Sequence, residues 1–225
     1  MTKVKRKLAT ILATDCVGFS KHMEADEEST LASLNACRSI IDSHISDHGG
    51  RIFHTAGDSV IAEFDSPVEC VNAALKFQEA LFARNREVEV QPPLLWRVGV
   101  HVDDIIIEGD NVYGSGVNIA ARLESHCEPG EILVSRVVQE QVAKRVSFSI
   151  DAAGSRSLKN IADDFEVFSV ATSSSQAAAK VSPQTPSQNE QSPAYEQGKP
   201  KLAILPFSNA SRDDDSGFLI DGIVE

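Results

Sequence analysis

Residues able to bind hard cations and phosphate occur at four places in this chain. Asp15 closes an apolar run and is followed by Gly18-Phe19-Ser20, which open a helical pattern. A carboxylate at a strand end can hold a divalent cation, and the free N–H groups of a helix start can receive phosphate oxygens. Asp58 lies in Ala56-Gly57-Asp58-Ser59, between two strand-like runs. If those strands lie beside the first, two carboxylates converge, the arrangement on which a two-metal phosphoryl-transfer site is built. Asn118 and Arg122 are four residues apart on a predicted helix and so share a face. An amide beside a guanidinium suits ribose or phosphate. Lys159, in Ser157-Leu158-Lys159-Asn160, precedes the last strand-like run. Each feature also has a plainer reading: turn-forming aspartates, a capping asparagine, solvated cations. Only their convergence separates the two.

The elements that must bring them together can be read from patterning. Residues 8–14 form a short apolar run of small and branched side chains, which predicts a buried strand. Leu31, Leu34, Ile41, Ile45 and His48 then recur at helical spacing until Gly49-Gly50. Residues 51–55 and 59–64 read as a hairpin around Gly57-Asp58. Ser66-Pro67-Val68-Glu69 combines an N-cap, a proline at the first helical position and a capping-box glutamate. The helix it opens is expected to bury Val68, Val71, Leu75 and Phe82. Residues 94–102 and 105–108 read as two strands, 117–125 as a short helix, 132–135 as a strand, 136–145 as a helix and 165–170 as a strand. The leading order is strand, helix, strand, strand, helix, strand. It predicts an α+β sandwich of ferredoxin-like βαββαβ type, an antiparallel sheet with helices packed on one face. That fold alone does not specify an activity.

The chain has 225 residues and a net charge of −12, which argues against a nucleic-acid polymer as partner, since phosphate contacts need clustered Lys and Arg. A single nucleotide needs only a few local cations and a metal. Cys16, Cys37, Cys70 and Cys127 are scattered, with no pairing motif for zinc or a disulfide framework. No apolar run is long enough for a membrane span or a signal peptide, so the chain is expected to be cytoplasmic. Residues 1–171 read as one domain. Residues 172–200, rich in Ser, Ala, Gln and Pro, read as a flexible linker. Residues 201–225 hold one strand and part of a helix, too little for a core, and read as the truncated start of a second domain.

Thr14-Asp15-Cys16-Val17-Gly18-Phe19-Ser20, Ala56-Gly57-Asp58 and Tyr113-Gly114-Ser115-Gly116-Val117-Asn118-Ile119-Ala120-Ala121-Arg122 resemble, in order and spacing, the catalytic motifs of the class III adenylate/guanylate cyclases. The likeness runs from about residue 7 to 171. Residues 201–225 resemble the start of the region that follows the cyclase in bacterial cyclases carrying tetratricopeptide repeats. The resemblance implies conversion of a nucleoside triphosphate into a 3′,5′-cyclic nucleotide and pyrophosphate. It implies two Mg²⁺ or Mn²⁺ ions on Asp15, Asp58 and the Cys16 carbonyl, and phosphates on the N–H groups of Gly18, Phe19 and Ser20. Asn118 would orient the ribose, Arg122 would stabilise charge on the α-phosphoryl oxygens, and Lys159 would bind phosphate. In the family the metal carboxylates and the Asn/Arg pair come from different subunits, so a head-to-tail homodimer with shared sites is implied.

The chain departs from the family pattern at three positions. Adenylate cyclases usually read the base with Lys and Asp, where this sequence has His54 and Asn111; guanylate cyclases typically use Glu and Cys. His54 can donate to adenine N1, and Asn111 can accept from the adenine amino group or, flipped, donate to guanine O6. ATP is the expected substrate, with weak discrimination, and GTP or a pyrimidine triphosphate stays open. Asp103 stands where the family tends to place Gly, and its side chain is expected to crowd the site or the interface between subunits. A competing expectation is a degenerate domain that only binds nucleotide or dimerises. The joint presence of Asp15, Asp58, Asn118 and Arg122 favours the enzyme.

Overall fold

In the computed structural model, which describes residues 5–87, 92–109, 111–156 and 165–171, the first apolar run extends into a twelve-residue strand, β1 (Lys5–Cys16). β1 alternates strictly. Leu12 and Cys16 face one layer of core, while Ala9, Ile11 and Ala13 face the other. Helices α1 (Phe19–Ala25) and α2 (Glu27–Asp47) follow, then the hairpin β2 (Arg51–Ala56) and β3 (Ser59–Phe64), α3 (Pro67–Glu87), β4 (Trp96–Glu108) and β5 (Asn111–Tyr113). Next come α4 (Ser115–Ser125), β6 (Ile132–Ser135), α5 (Arg136–Val142), β7 (Ile150–Arg156) and β8 (Phe165–Val170).

The strands join in the order β2-β3-β1-β4-β6-β8-β7, with β5 folded back on β4. The four strands β2-β3-β1-β4 are the ferredoxin-like arrangement expected, all antiparallel. One later pairing, β4 with β6, is parallel. The main core forms where α2, α3 and α5 cover one face, around Ile41, Ile45, Phe64, Phe77, Trp96 and Val100. The helices do not all share that face, as the patterning had suggested. α4 lies on the other, over Ile11, Ala13 and Ile105. Close approach explains it: a Cβ built on Gly99 would meet the Ala120 carbonyl oxygen at 2.2 Å and the Glu124 nitrogen at 2.3 Å. Glycine on the strand and small residues on the helix let the two backbones nearly touch.

Several boundaries differ from the sequence reading for identifiable reasons. Residues 94–102 and 105–108 belong to one continuous strand, β4, because Asp103 and Asp104 pair with Ala9 and Leu8 of β1 and keep the ladder unbroken. The long helical stretch is split at Asp26, which caps α2 by accepting the Ser29 N–H at 3.1 Å. Within α2, Leu31 is exposed and Thr30, Ser33, Leu34, Cys37, Ile41 and Ile45 are buried. The expected cap at Ser66 is present: its hydroxyl accepts the Glu69 N–H at 3.3 Å. Strand β7 carried no apolar signal, since it sits at the sheet edge and reads Ile-Asp-Ala-Ala-Gly-Ser-Arg. No helix among the described residues is long and apolar enough to cross a membrane. The proposed linker, 172–200, and the segment 201–225 lie outside the described residues.

Candidate active site

The pairing of β1 with β3 sets the first half of the site. Thr14 stands opposite Val60, so the end of β1 meets the beginning of β3 and therefore the turn that precedes it. That turn is two residues long, Gly57 and Asp58, between the paired Ala56 and Ser59. Gly57 has φ +60°, a left-handed conformation that a short hairpin turn demands. Asp58 is thereby carried to the end of β1, where its Oδ2 accepts the Cys16 backbone N–H at 3.2 Å. Asp15 is the adjacent residue. The two aspartates converge, as their spacing had suggested.

Burial pushes the Asp58 carboxyl above its usual range, and the neighbouring Asp15 adds to this by charge and hydrogen bonding. The Cys16 thiol is pushed up to about 12, chiefly by burial and further by Asp58. The available donors are two carboxylates and a backbone carbonyl, all oxygen. No group of three or more His, Cys, Asp or Glu that could hold a metal unaided occurs among the described residues. Mg²⁺ is commonly held by one or two carboxylates together with substrate phosphates. The pair fits a hard cation that arrives with a polyphosphate.

Directly after it, Gly18 adopts φ +67° as the N-cap of α1, with no side-chain cap on the first turn. The Gly18 carbonyl accepts the N–H groups of Lys21 and His22, and Phe19 and Ser20 occupy the positions whose N–H groups a helix leaves unpaired. The predicted phosphate cradle thus follows Asp15 by three residues.

His54 reaches its place through an irregularity. Ile52 pairs with Ala62 and His54 with Ile61, so Phe53 is an extra residue, a β-bulge. Ile52 packs into the main core, whereas Phe53 packs on the α4 side together with Ile61. Regular alternation would have put His54 opposite Val60, which is fully buried in the main core. The bulge turns it out, exposed, onto the face that bears Asp15. Asn111 opens β5 opposite Glu108, and β5 packs against β2, so the strands of His54 and Asn111 are neighbours.

α4 presents Asn118 and Arg122 away from its own sheet. Gly116, Ala120 and Glu124 are buried at spacings of four and lie against β4. Two residues further on, Asn118 and Arg122 are rotated by about 200° from that stripe. Asn118 is exposed, Arg122 is half-buried, and neither side chain has a hydrogen-bond or ion-pair partner among the described residues. They are neighbours on one face of α4, and no hydrogen bond or ion pair among the described residues links either to Asp15 or Asp58 of the same chain. Lys159 lies outside the described residues.

Sequence reasoning missed Arg97 and Glu124. Arg97 pairs in register with Asp15, and its guanidinium lies 3.2 Å from Asp15 Oδ2 and 2.9 Å from Glu124 Oε1. The same arginine therefore joins the aspartate to α4. Burial pushes the Glu124 carboxyl up to about 7; Arg97 opposes the shift, while Asp15 and Asp58 reinforce it. The available signal was Arg97 itself, a charge in the otherwise apolar start of the strand, Trp96-Arg97-Val98-Gly99-Val100. A cleft of about 480 Å³ runs along α5, β7 and β8, lined by Arg136, Gln139, Ser155, Glu166 and Phe168 among others. It includes neither Asp15 nor Asp58.

The profile of the adenylate and guanylate cyclase catalytic domain matches residues 2–172. A Rhizobium meliloti (strain 1021) protein provisionally named adenylate cyclase 3 is 36% identical over 228 residues, covering 99% of this chain and 37% of that protein. The adenylate cyclase of Streptomyces coelicolor (strain ATCC BAA-471 / A3(2) / M145) is 30% identical over 142 residues, 63% of this chain and 35% of that one. The chain thus spans a little over a third of the length of these relatives. Among solved structures, an adenylate/guanylate cyclase/hydrolase from Silicibacter pomeroyi superposes with a TM-score of 0.70 at 34% identity, over 75% of this chain and 98% of that one. An adenylyl cyclase from P. aeruginosa, 23% identical, shares the fold with a TM-score of 0.68 over 76% of this chain and 97% of that one. With the two aspartates joined at the end of β1 and the profile matched across the whole described fold, the chain belongs to the class III adenylate and guanylate cyclase catalytic domain family.

Proposed function

We propose that the protein is a nucleotide cyclase that converts a nucleoside triphosphate, ATP first, into a 3′,5′-cyclic nucleotide and pyrophosphate, at sites shared between two copies of the chain. The observation that carries this reading is the meeting of Asp15 and Asp58 at the end of β1, while Asn118 and Arg122 stand on the far stripe of α4. Asn118 and Arg122 turn away from the sheet that α4 covers, a disposition that supports their serving a site on a second copy in a head-to-tail homodimer. The ribose 3′-oxygen forms a bond to the α-phosphorus, its proton is lost, and the bond to the pyrophosphate oxygen breaks. Asp15, Asp58 and the Cys16 carbonyl would hold two Mg²⁺ or Mn²⁺ ions, whose chemistry there is to acidify the 3′-hydroxyl and neutralise the triphosphate. The N–H groups of Gly18, Phe19 and Ser20 hold phosphate oxygens, with Lys159 assisting and Arg97 adding a guanidinium beside Asp15. Asn118 of the second copy orients the ribose, and Arg122 takes up charge growing on the α-phosphoryl oxygens.

His54 and Asn111 read the base. Both are shorter or less committed than the Lys and Asp of typical adenylate cyclases, and an amide that can turn either way discriminates weakly. A mispaired buried hydrogen bond costs about 1–3 kcal/mol, on the order of 10–100-fold in preference. Incubating the purified protein with each of the four ribonucleoside triphosphates and Mn²⁺ tests the proposal. A cyclic product, most rapidly from ATP, is expected. The absence of cyclic product from all four would leave a nucleotide-binding or dimerisation module in its place.

A further inference from the structure

The start of α4 is not capped by the residues that precede it. Gly114 is its N-cap, at φ +150°, and offers no side chain to the first turn. The first turn is held instead from β4, side chain to side chain: Asp103 Oδ2 accepts the Ser115 hydroxyl at 2.6 Å, a charge-assisted length. Its other oxygen accepts the Asp104 N–H at 2.8 Å, which fixes the orientation of the group. A negative charge at this end also opposes the positive pole of the helix. The contact is steric as well as electrostatic. A Cβ at Gly116 would meet Asp103 Cβ at 2.6 Å, so the helix rests on the aspartate because position 116 has no side chain. The room for Asp103 within its own chain is therefore made by Gly116. At the other end of α4, Glu124 is held by Arg97 and the backbone lies on Gly99. α4 is fixed on β4 at two points.

We propose that Asp103 is a positioning residue for the reaction: by holding Ser115 and seating Gly116, it sets where α4 presents Asn118, one turn further on, and Arg122. The proposal rests on the reading of those two residues as catalytic. A small displacement of such a pair costs turnover more than substrate binding, because their interactions mature in the transition state.

The test uses the full chain carrying Asp103→Ala, Asp103→Asn, Ser115→Ala or Asp103→Ala with Ser115→Ala. With the triphosphate that the wild type cyclises, Asp103→Ala and Ser115→Ala should each lower kcat about tenfold or more, with KM changed by less than about threefold. The double variant should be no worse than either single one, since both remove the same hydrogen bond. Asp103→Asn keeps an acceptor oxygen and should recover kcat to within about threefold of wild type. Amide hydrogen exchange in the first turn of α4 should quicken about tenfold in Asp103→Ala, while Mn²⁺ affinity at Asp15 and Asp58 stays unchanged. A kcat for Asp103→Ala within twofold of wild type would overturn the proposal. So would Ser115→Ala failing to follow it, or Asp103→Asn being as damaged as Asp103→Ala. If the wild type turns over no triphosphate, the cyclase reading falls, and hydrogen exchange alone decides the anchor: unchanged exchange in Asp103→Ala overturns it.

Discussion

Asp15 and Asp58 meet at the end of β1, so the loss of either one tests the pair. Asp15→Ala or Asp58→Ala should lower turnover at least about a thousandfold, the scale of losing a transition-state electrostatic clamp. The fold should survive, because both are partly exposed at a strand end and a turn. Activity of either variant within tenfold of wild type, in a steady-state assay, would remove them from the mechanism. Glu124 offers a second residue-scale measurement. Burial pushes its carboxyl up from the ordinary 4.5 to about 7, so the folded chain binds more protons than the unfolded chain between those values. Stability from this group therefore falls as pH rises from about 4.5 to 7, by an upper bound of about 3 kcal/mol. Glu124→Gln lacks that dependence, so its stability relative to wild type should improve between pH 5 and pH 8 in urea titrations. A constant difference across that range would contradict the shift. For the base, His54→Lys with Asn111→Asp should move preference toward ATP by about tenfold or more, since it restores a fixed donor and a fixed acceptor. An unchanged ratio of ATP to GTP efficiencies would show that the two positions do not touch the base.

At the scale of elements, α4 and β4 are the critical contact, and two glycines separate steric from conformational demands. Gly99→Ala places a methyl within 2.3 Å of the Ala120 oxygen and the Glu124 nitrogen, so α4 must lift. A loss of about 2–3 kcal/mol and most of the activity is expected. Gly18→Ala meets nothing within 4 Å but must hold φ +67°, which costs about 1 kcal/mol. Denaturant titrations that rank the two variants in the opposite order would contradict this account. The ferredoxin-like half of the fold was legible because β1, the hairpin and α3 each announce themselves locally, by an apolar run, a Gly-Asp turn and a Ser-Pro cap. What escaped was set by tertiary contact. β4 runs through Asp103-Asp104 because β1 supplies a partner for every residue from Trp96 to Ile107, and β7 exists because β8 templates it at the edge. Asp15, Asp58, Asn118 and Arg122 could be picked from residue type and spacing. The Arg97–Glu124 link could not, because it depends on which face of β4 the helix α4 covers.

For the whole molecule, the decisive issue is whether one active site draws on two chains. Asp58→Ala and Arg122→Ala proteins should each be nearly inactive alone. Mixed and allowed to exchange subunits, half their dimers would be heterodimers with one intact site of two, so activity should return to roughly a quarter of wild type. Light scattering at the assay concentration must first establish dimers that exchange, because a dissociated pair has no complete site. With exchange demonstrated, a mixture no more active than the sum of its parents would place both residues in one chain's site.

The bulge at Phe53 has a consequence for how such an enzyme could change its substrate over evolutionary time. Which side chain of β2 looks out on the face that bears Asp15 depends on where the extra residue sits, as well as on what the residues are. A bulge that migrated by one position along β2 would exchange the outward-facing residue while leaving every codon untouched at that position. If His54 reads the base as proposed, base preference depends in part on where the bulge sits, and a change in strand-end packing could alter it without a substitution at position 54.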